Sequence, residues 1–208
     1  ETVANAAEIM RSYPGWQEAD FVKFKAWIAD VFYPHITKFL STHNGNECAL
    51  HYWLNWDLSA MTALLSIGIL ADDNFKINEA IQYFKFGIGS GNIGNGVPFI
   101  HLDPDSNEML GQCQESGRDQ GHATLCVSLL GAFCQMAKNV GEDLFIFDDG
   151  RALAMCEYVA KYNIGGAETG SSSASWKMTG FRYTDNDLPY TTYTNCSGSW
   201  DTISAQER

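Results

Sequence analysis

Two segments of this chain, residues 47–70 and 117–138, are apolar on nearly every side of a helix, and they constrain its fold more than any other feature. A helix without a polar face is stable only where other elements cover it, so both are expected inside the domain. Both also contain small residues that permit close packing, namely Ala60, Ser66 and Gly68 in the first segment and Gly121, Ala123, Ser128 and Gly131 in the second.

The other helical segments are amphipathic and alternate with these two along the chain. They span residues 18–42, 75–88 and 150–162, after the end of a helix at residues 1–11. Pro34 is expected to kink or split the 18–42 helix, because proline lacks a backbone N–H. This alternation predicts an all-α fold of stacked antiparallel helix hairpins, which forms an (α/α) toroid when curled into a ring. A straight solenoid is the alternative, but no sequence repeat supports it.

The chain is expected to form a single domain over residues 1–208. Because so few helices do not close a ring, we expect an incomplete barrel that is the central part of a longer domain. The glycine-rich stretch 87–98 is expected to be a loop, since it lacks the context of a phosphate-binding motif. After Gly166 a long irregular C-terminal loop region is expected, and its many aromatic residues favour a functional loop over a linker.

The formal net charge of −12 excludes nonspecific binding to nucleic acid or to an anionic membrane surface. No segment is expected to cross a membrane. An acidic substrate would need a local concentration of basic residues, and Arg118, Lys177 and Arg182 are the candidates. The five histidines lack the spacing of metal-binding motifs, and the acidic residues 103–108 lack that of a calcium loop, so neither a metal nor a cofactor is expected.

The six cysteines show no CxxC motif and no zinc-ligand spacing. Cys126, Cys134 and Cys156 fall within apolar helical patterns. Small buried thiols are therefore favoured over a disulfide framework.

A polar run from Gln112 to His122 leads directly into the second apolar segment. Continued as a helix, it would place Glu115, Arg118, Asp119 and His122 on one face, because they are three or four residues apart. Such groups are costly to remove from water. They form either a functional site or a buried salt-bridge network at the start of the helix.

A second candidate group is Trp53, Asn55 and Trp56 in the first apolar segment. Asn55 would lie ~12 Å and His122 ~8 Å along their helices, so both side chains would emerge at the same end if the inner helices are parallel. The alternative is that both tryptophans belong to the core and that Asn55 caps a local turn.

A third group lies in the C-terminal region, at residues 181–183 and 189–193. It combines Arg182 with Tyr183, Tyr190 and Tyr193, in a segment with little else to retain them. These phenols either serve a site or pack locally.

Three motifs together resemble the alginate lyase superfamily, in particular its proteins in Bacteroidetes-type carbohydrate degraders. They are Asn55-Trp56-Asp57, the run from Gln114 to His122, and Gly141-Glu142-Asp143-Leu144, and the resemblance covers roughly residues 1–205. Members are polysaccharide lyases whose catalytic domain is an α/α toroid. The resemblance implies β-elimination on an acidic polysaccharide, such as alginate, polymannuronate or glucuronan, by an exported protein that is periplasmic or secreted.

Residue roles follow from the same resemblance. Arg118 and Asn55, assisted by Arg182, would bind the uronate carboxylate, and His122 would be the base. Tyr190 would be the general acid, with Tyr183 in reserve. Glu115 would orient Arg118 or His122. The remaining substrate-binding candidates are Gln114 and the stacking residues Trp53, Trp56 and Trp176.

Two other functions remain open at this point. A glycoside hydrolase on the same fold would need two carboxylates flanking the glycosidic bond, for which Asp57 and Asp119 are the candidates. A noncatalytic helical protein that binds glycans is the other.

Overall fold

The computed structural model describes residues 1–45, 48–103, 106–116 and 118–164, which are mostly helical. Helices α1 (Thr2–Ile9), α2 (Glu18–Thr42), α3 (Leu54–Ala71) and α4 (Asn74–Phe86) come first, with a 3-10 turn at His43–Gly45. The short helix α5 (Ile93–Gly96) then precedes strands β1 (Phe99–Leu102) and β2 (Met109–Gln112). Helices α6 (Gln120–Asn139) and α7 (Phe147–Ile164) complete the described part. The helical content agrees with the all-α expectation, whereas the two-stranded sheet was not predicted.

Helix α3 is the centre of the fold, as its apolar sequence predicts. It packs against α1, α2, α4 and α6. Its buried residues on several sides include Leu58, Met61, Leu64, Leu65 and Leu70. Within the described part, α3 alone has the length and hydropathy of a membrane span, and it is mostly buried, as core helices of the same composition are.

Both inner helices begin later than the sequence predicts. Helix α3 begins at Leu54 rather than at residue 47, because Trp53 has extended backbone angles (φ −74°, ψ 163°), and the rings of His51 and Tyr52 before it pack edge to face. Helix α6 begins at Gln120 rather than at residue 117, because Asp119 is extended and caps it. Glu115 and Arg118 therefore precede α6, and the prediction that they share a helical face with Asp119 and His122 is wrong.

Pro34 does not split α2, which runs unbroken from Glu18 to Thr42. Apolar side chains of α2 enter the core on both sides of the proline, Ile28 before it and Leu40 after it. Packing therefore holds the helix together despite the missing N–H. Thr37 Oγ1 donates to the carbonyl oxygen of Tyr33 at 3.0 Å.

Helix α6 also differs from expectation. Helix α6 is buried on one face only, and Thr124, Leu125 and Ser128 on the other face are exposed. Helix α7 is preceded by a kink at Asp148, Asp149 and Gly150, which have left-handed backbone angles, so its regular part begins close to the predicted start at residue 150.

Strands β1 and β2 form an antiparallel hairpin, with Phe99 opposite Gln112. The hairpin lies directly on α7, where a Cβ on Gly111 would come within 2.7 Å of the backbone nitrogen of Met155. Lys161 of α7 also binds Asp103 at the end of β1, with 2.7 Å between Nζ and Oδ1. These contacts fix the end of β2 at Gln112, from which the chain continues to α6.

The cysteines divide into two kinds. Cys113, Cys126 and Cys134 are buried free thiols, and Cys156 is a half-buried one. Burial raises the pKa of Cys113 to about 11 and that of Cys134 to about 12, so these thiols are unreactive near neutral pH. Cys48 is disulfide-bonded, and Cys196 lies outside the described residues.

Candidate active site

Arg118 lies over an aromatic surface at the start of α3. Its guanidinium carbon is 5.6 Å from the ring centroid of Trp53, a distance at which the face of the ring attracts a cation. A small pocket of about 20 Å³ is lined by His51, Tyr52, Trp53, Trp56 and Arg118. That volume holds a water molecule, so a sugar ring would rest against this surface. Trp56 is 49% exposed and offers part of its ring to a ligand.

The beginnings of α3 and α6 lie together at this surface. Trp53 is the residue before α3, and Arg118 lies two residues before α6. Asn55 is the second residue of α3, so the prediction that it lies ~12 Å along its helix is wrong. His122 is the third residue of α6. Both side chains therefore belong to the first turn of their helices.

Glu115 is fully buried next to Arg118. Its Oε2 atom is 3.5 Å from Nη1 of Arg118. Burial raises the pKa of Glu115 to about 7, although its interactions with Arg118 and His122 oppose the shift. A carboxyl group in this state gains or loses its proton close to neutral pH.

Asp119 holds His122 in two ways. Its Oδ1 atom accepts the backbone N–H of His122 at 2.8 Å, which caps α6. Its Oδ2 atom is 2.6 Å from Nδ1 of the imidazole. Burial would raise the pKa of Asp119, but the hydrogen bonds from His122 lower it overall. Because the ionised carboxylate accepts the Nδ1 proton, Nε2 of a neutral His122 is left as a proton acceptor.

Buried polar atoms without hydrogen bonds concentrate around Gln112–Ser116, which we call the open segment. In the described part of the chain these atoms are Gln112 Nε2, Gln114 Oε1, both Glu115 oxygens, Asn55 Oδ1 and, inside α3, Thr62 Oγ1. Buried polar groups are nearly always paired in proteins. A concentration of unpaired ones beside an aromatic surface and a cation is typical of a site that receives a polar ligand.

The backbone of the open segment is nevertheless well held. The N–H of Gln114 donates to the carbonyl oxygen of Gly96 at 3.0 Å, which ties the segment to α5. Ser116 Oγ accepts the N–H of Cys113 at 3.1 Å. Gln112 belongs to β2, where it pairs with Phe99. The unpaired side-chain atoms are thus presented by a fixed backbone.

A second buried polar group consists of His43, Asp57 and Tyr83, which we call the closed cluster. Asp57 Oδ1 lies 3.0 Å from His43 Nε2. Its Oδ2 accepts the hydroxyl of Tyr83 at 2.8 Å and the N–H of Gly91 at 2.8 Å. Burial, together with the charge of Asp57, raises the pKa of Tyr83 beyond its usual range. In contrast to the open segment, this carboxylate has a donor at both oxygens.

Sequence reasoning missed the closed cluster as a unit. Asp57 was considered only as a possible hydrolase carboxylate, but it is fully buried and bonded on both oxygens. This arrangement argues against Asp57 as a catalytic group. The available signal was an aspartate between Leu54, Leu58 and Met61 on the buried side of an apolar helix, which requires donors somewhere in the chain.

Six candidate residues fall outside the described residues, namely Trp176, Lys177, Arg182, Tyr183, Tyr190 and Tyr193. The other candidates lie in the open segment or at the beginnings of α3 and α6, and direct contacts join Arg118 to Trp53 and to Glu115. Comparison with protein-family models, with curated proteins and with solved structures finds no match to this chain.

Proposed function

We propose that this chain is part of an α/α-toroid polysaccharide lyase, which cleaves a uronic-acid-containing polysaccharide such as alginate, polymannuronate or glucuronan by β-elimination. The observation that supports it best is the pairing of His122 with Asp119 at 2.6 Å, beside a cation. Nε of Arg118 is 4.0 Å from Oδ2 of the same Asp119. A base next to a guanidinium is what removal of the C5 proton of a uronate requires.

In the proposed reaction, Arg118 and Asn55 bind the C5 carboxylate and make the C5 proton more acidic. His122 Nε2 takes that proton, and the electron pair of the broken C5–H bond forms the C4–C5 double bond. The bond between C4 and the leaving oxygen breaks, and a general acid protonates that oxygen. Tyr190 is proposed for this role, with Tyr183 as the alternative and Arg182 as a second carboxylate ligand, on the basis of the sequence resemblance.

The sugar ring is proposed to stack on Trp56 and Trp53, with Trp176 contributing from the C-terminal region. Aromatic faces suit the apolar faces of sugar rings, and Trp56 is half exposed. Gln114 is proposed as a further substrate-binding residue on the basis of the sequence resemblance. Glu115 is proposed to orient Arg118, the nearest cation.

An exported location is part of the same proposal. The disulfide at Cys48 supports it, because disulfides persist in the periplasm and outside the cell and are rare in the cytosol.

The test is digestion of polymannuronate, polyguluronate and glucuronan, followed by the ultraviolet absorbance of the conjugated C4–C5 double bond. We expect His122→Ala to abolish the absorbance, because it removes the base. His35→Ala is the matched control, since His35 is an exposed histidine on α2. New reducing ends without absorbance would indicate a hydrolase, and binding without any cleavage would indicate a noncatalytic glycan-binding protein.

A further inference from the structure

Two of the three members of the closed cluster, His43 and Asp57, are sealed from solvent. His43 is 1% and Asp57 0% exposed. The loop from Gly87 to α5 covers the cluster so closely that a Cβ on Gly89 would lie 2.4 Å from Asp57 Oδ2 and 2.5 Å from the Tyr83 hydroxyl. Neither distance can accommodate a side chain, so this loop position requires glycine. The loop therefore shields His43 and Asp57 from solvent, whereas Tyr83 is half-buried and lines a cavity of about 280 Å³ beside α2 and α4.

One side of the closed cluster supports the aromatic surface of the candidate site. The rings of His43 and Tyr52 stack with centroids 6.2 Å apart. Asn44, next to His43, donates from Nδ2 to the Tyr52 hydroxyl at 2.8 Å. Ser90 of the covering loop donates to the Tyr52 carbonyl oxygen at 2.7 Å. Tyr52 directly precedes Trp53, whose ring lies under Arg118. The contacts of the closed cluster with Tyr52 therefore also restrain the position of Trp53.

The other side leads to the open segment. Asp57 accepts the N–H of Gly91, which begins the stretch that turns into α5. The last residue of α5, Gly96, accepts the N–H of Gln114 at 3.0 Å. A Cβ on Gly96 would also meet Leu54 Cδ1 at 2.5 Å, so α5 is pressed against the first turn of α3. The aromatic surface at Trp53 and the open segment are thus both connected to the buried carboxylate of Asp57.

We infer that His43, Asp57 and Tyr83 are positioning residues for the reaction, acting through Tyr52 and Trp53 on one side and through Gly96 and Gln114 on the other. This inference rests on the proposed function for its catalytic consequence. The closed cluster fixes the distance between the stacking surface and the open segment that precedes Arg118 and His122. Small misplacements of catalytic groups lower the rate strongly, so loosening this unit lowers kcat.

The first test compares Tyr83→Phe with Tyr33→Phe. Each change removes one tyrosine hydroxyl bonded to a carboxylate, Tyr83 to Asp57 at 2.8 Å and Tyr33 to Glu79 at 2.9 Å. Hydrogen exchange, measured by mass spectrometry, should become roughly tenfold faster in residues 52–57 and 112–116 of Tyr83→Phe. Tyr33→Phe should leave both segments unchanged. Unchanged exchange at 112–116 in Tyr83→Phe would overturn the inference.

The second test uses kinetics on the polyuronate that the wild-type protein cleaves, well below the melting temperature. Gly89→Ala should lower kcat about tenfold or more, since its Cβ pushes the closed cluster apart. Gly94→Ala in the same loop is the control, because its Cβ approaches only Asn92 Oδ1 at 3.4 Å. His43→Ala should lower kcat, and His43→Gln, whose amide can replace Nε2, should restore much of it.

The outcomes separate the two proposals. A merely stabilising closed cluster predicts lower melting temperatures with unchanged kcat and KM, and that result would contradict positioning. If the wild-type protein produces no unsaturated product from any polyuronate, the proposed function fails. The exchange comparison still decides whether the closed cluster holds the two segments.

Discussion

Two buried polar regions adjoin the first turns of α3 and differ in how completely they are hydrogen-bonded. In the closed cluster both oxygens of Asp57 have donors, from His43, Tyr83 and the backbone of Gly91. In the open segment Glu115 is equally buried, yet neither of its oxygens has a hydrogen-bond partner within the described part of the chain. Within the described part of the chain, Glu115 forms an ion pair with Arg118, with 3.5 Å between Oε2 and Nη1.

This difference distinguishes a structural carboxylate from a functional one. A buried charge with a full set of donors stabilises one arrangement of the chain. A buried carboxyl group without them has a raised pKa and is retained at a cost to stability, which is common where a ligand must bind. Substitution of the two carboxylates should therefore change stability in opposite directions.

The largest effect is expected at Asp57. Asp57→Ala leaves His43, Tyr83 and the Gly91 N–H buried without their acceptor. Removing one partner of such a buried network costs about 3 to 5 kcal/mol of unfolding free energy. Urea unfolding followed by circular dichroism measures it. A loss below about 1 kcal/mol, the value of an ordinary hydrogen bond, would show that the closed cluster is not the anchor inferred here.

For Glu115→Gln we expect the unfolding free energy to rise rather than fall. The folded pKa of Glu115 is raised from 4.5 to about 7, so the folded state binds more protons than the unfolded state between these values. The unfolding free energy of the wild type therefore falls as pH rises through this window. Above it, Glu115→Gln should be more stable than wild type by up to about 3 kcal/mol, and near pH 4 or below about equally stable.

Urea midpoints of both proteins at about pH 4, 6 and 8 check this expectation. The gain in stability should come with a loss of activity, because a neutral amide no longer orients the Arg118 guanidinium by charge. A gain at the lowest pH as large as at the highest would mean that the proton on Glu115 is not the cause.

A smaller effect is expected for Asp119→Ala, with Asp73→Ala as its matched control. Both aspartates cap a helix, Asp119 at α6 and Asp73 at α4, by accepting backbone N–H groups. Each change should cost about 1 kcal/mol of unfolding free energy. Only Asp119→Ala also frees the imidazole of His122, so it alone should lower kcat by about tenfold or more. Equal kcat values in the two variants would remove Asp119 from the site.

Local sequence patterns were sufficient to predict the long helices and the core, but not the short helix α5 within the stretch expected to be a loop. The apolar sequence of α3 predicts its central position, and the spacing of Asp73 before α4 predicts a helix start. The patterns failed where tertiary contacts determine the local backbone conformation. Residues 48–53 have helical composition, but they are not helical, and Tyr52 packs against Phe39 and His43 instead.

For the candidate site, the sequence located the charged groups at the start of α6 but not their arrangement. The run from Gln112 to His122 marks charged groups at the start of an apolar helix, and those groups do lie there. Their arrangement depends on Asp119, whose side chain bonds the backbone of His122 and so ends the turn at Arg118. The closed cluster could not be predicted because its members are 14 to 40 residues apart.

The measurement that tests the central claim most directly is the mass of the oligosaccharides released from polymannuronate, polyguluronate or glucuronan. β-Elimination consumes no water, so each new nonreducing end should belong to an unsaturated sugar that is one water molecule lighter than the hydrolysis product. His35→Ala should give the same products, and His122→Ala should give none. Saturated products of full hydrolysis mass, or unsaturated products that persist undiminished in His122→Ala, would contradict the claim.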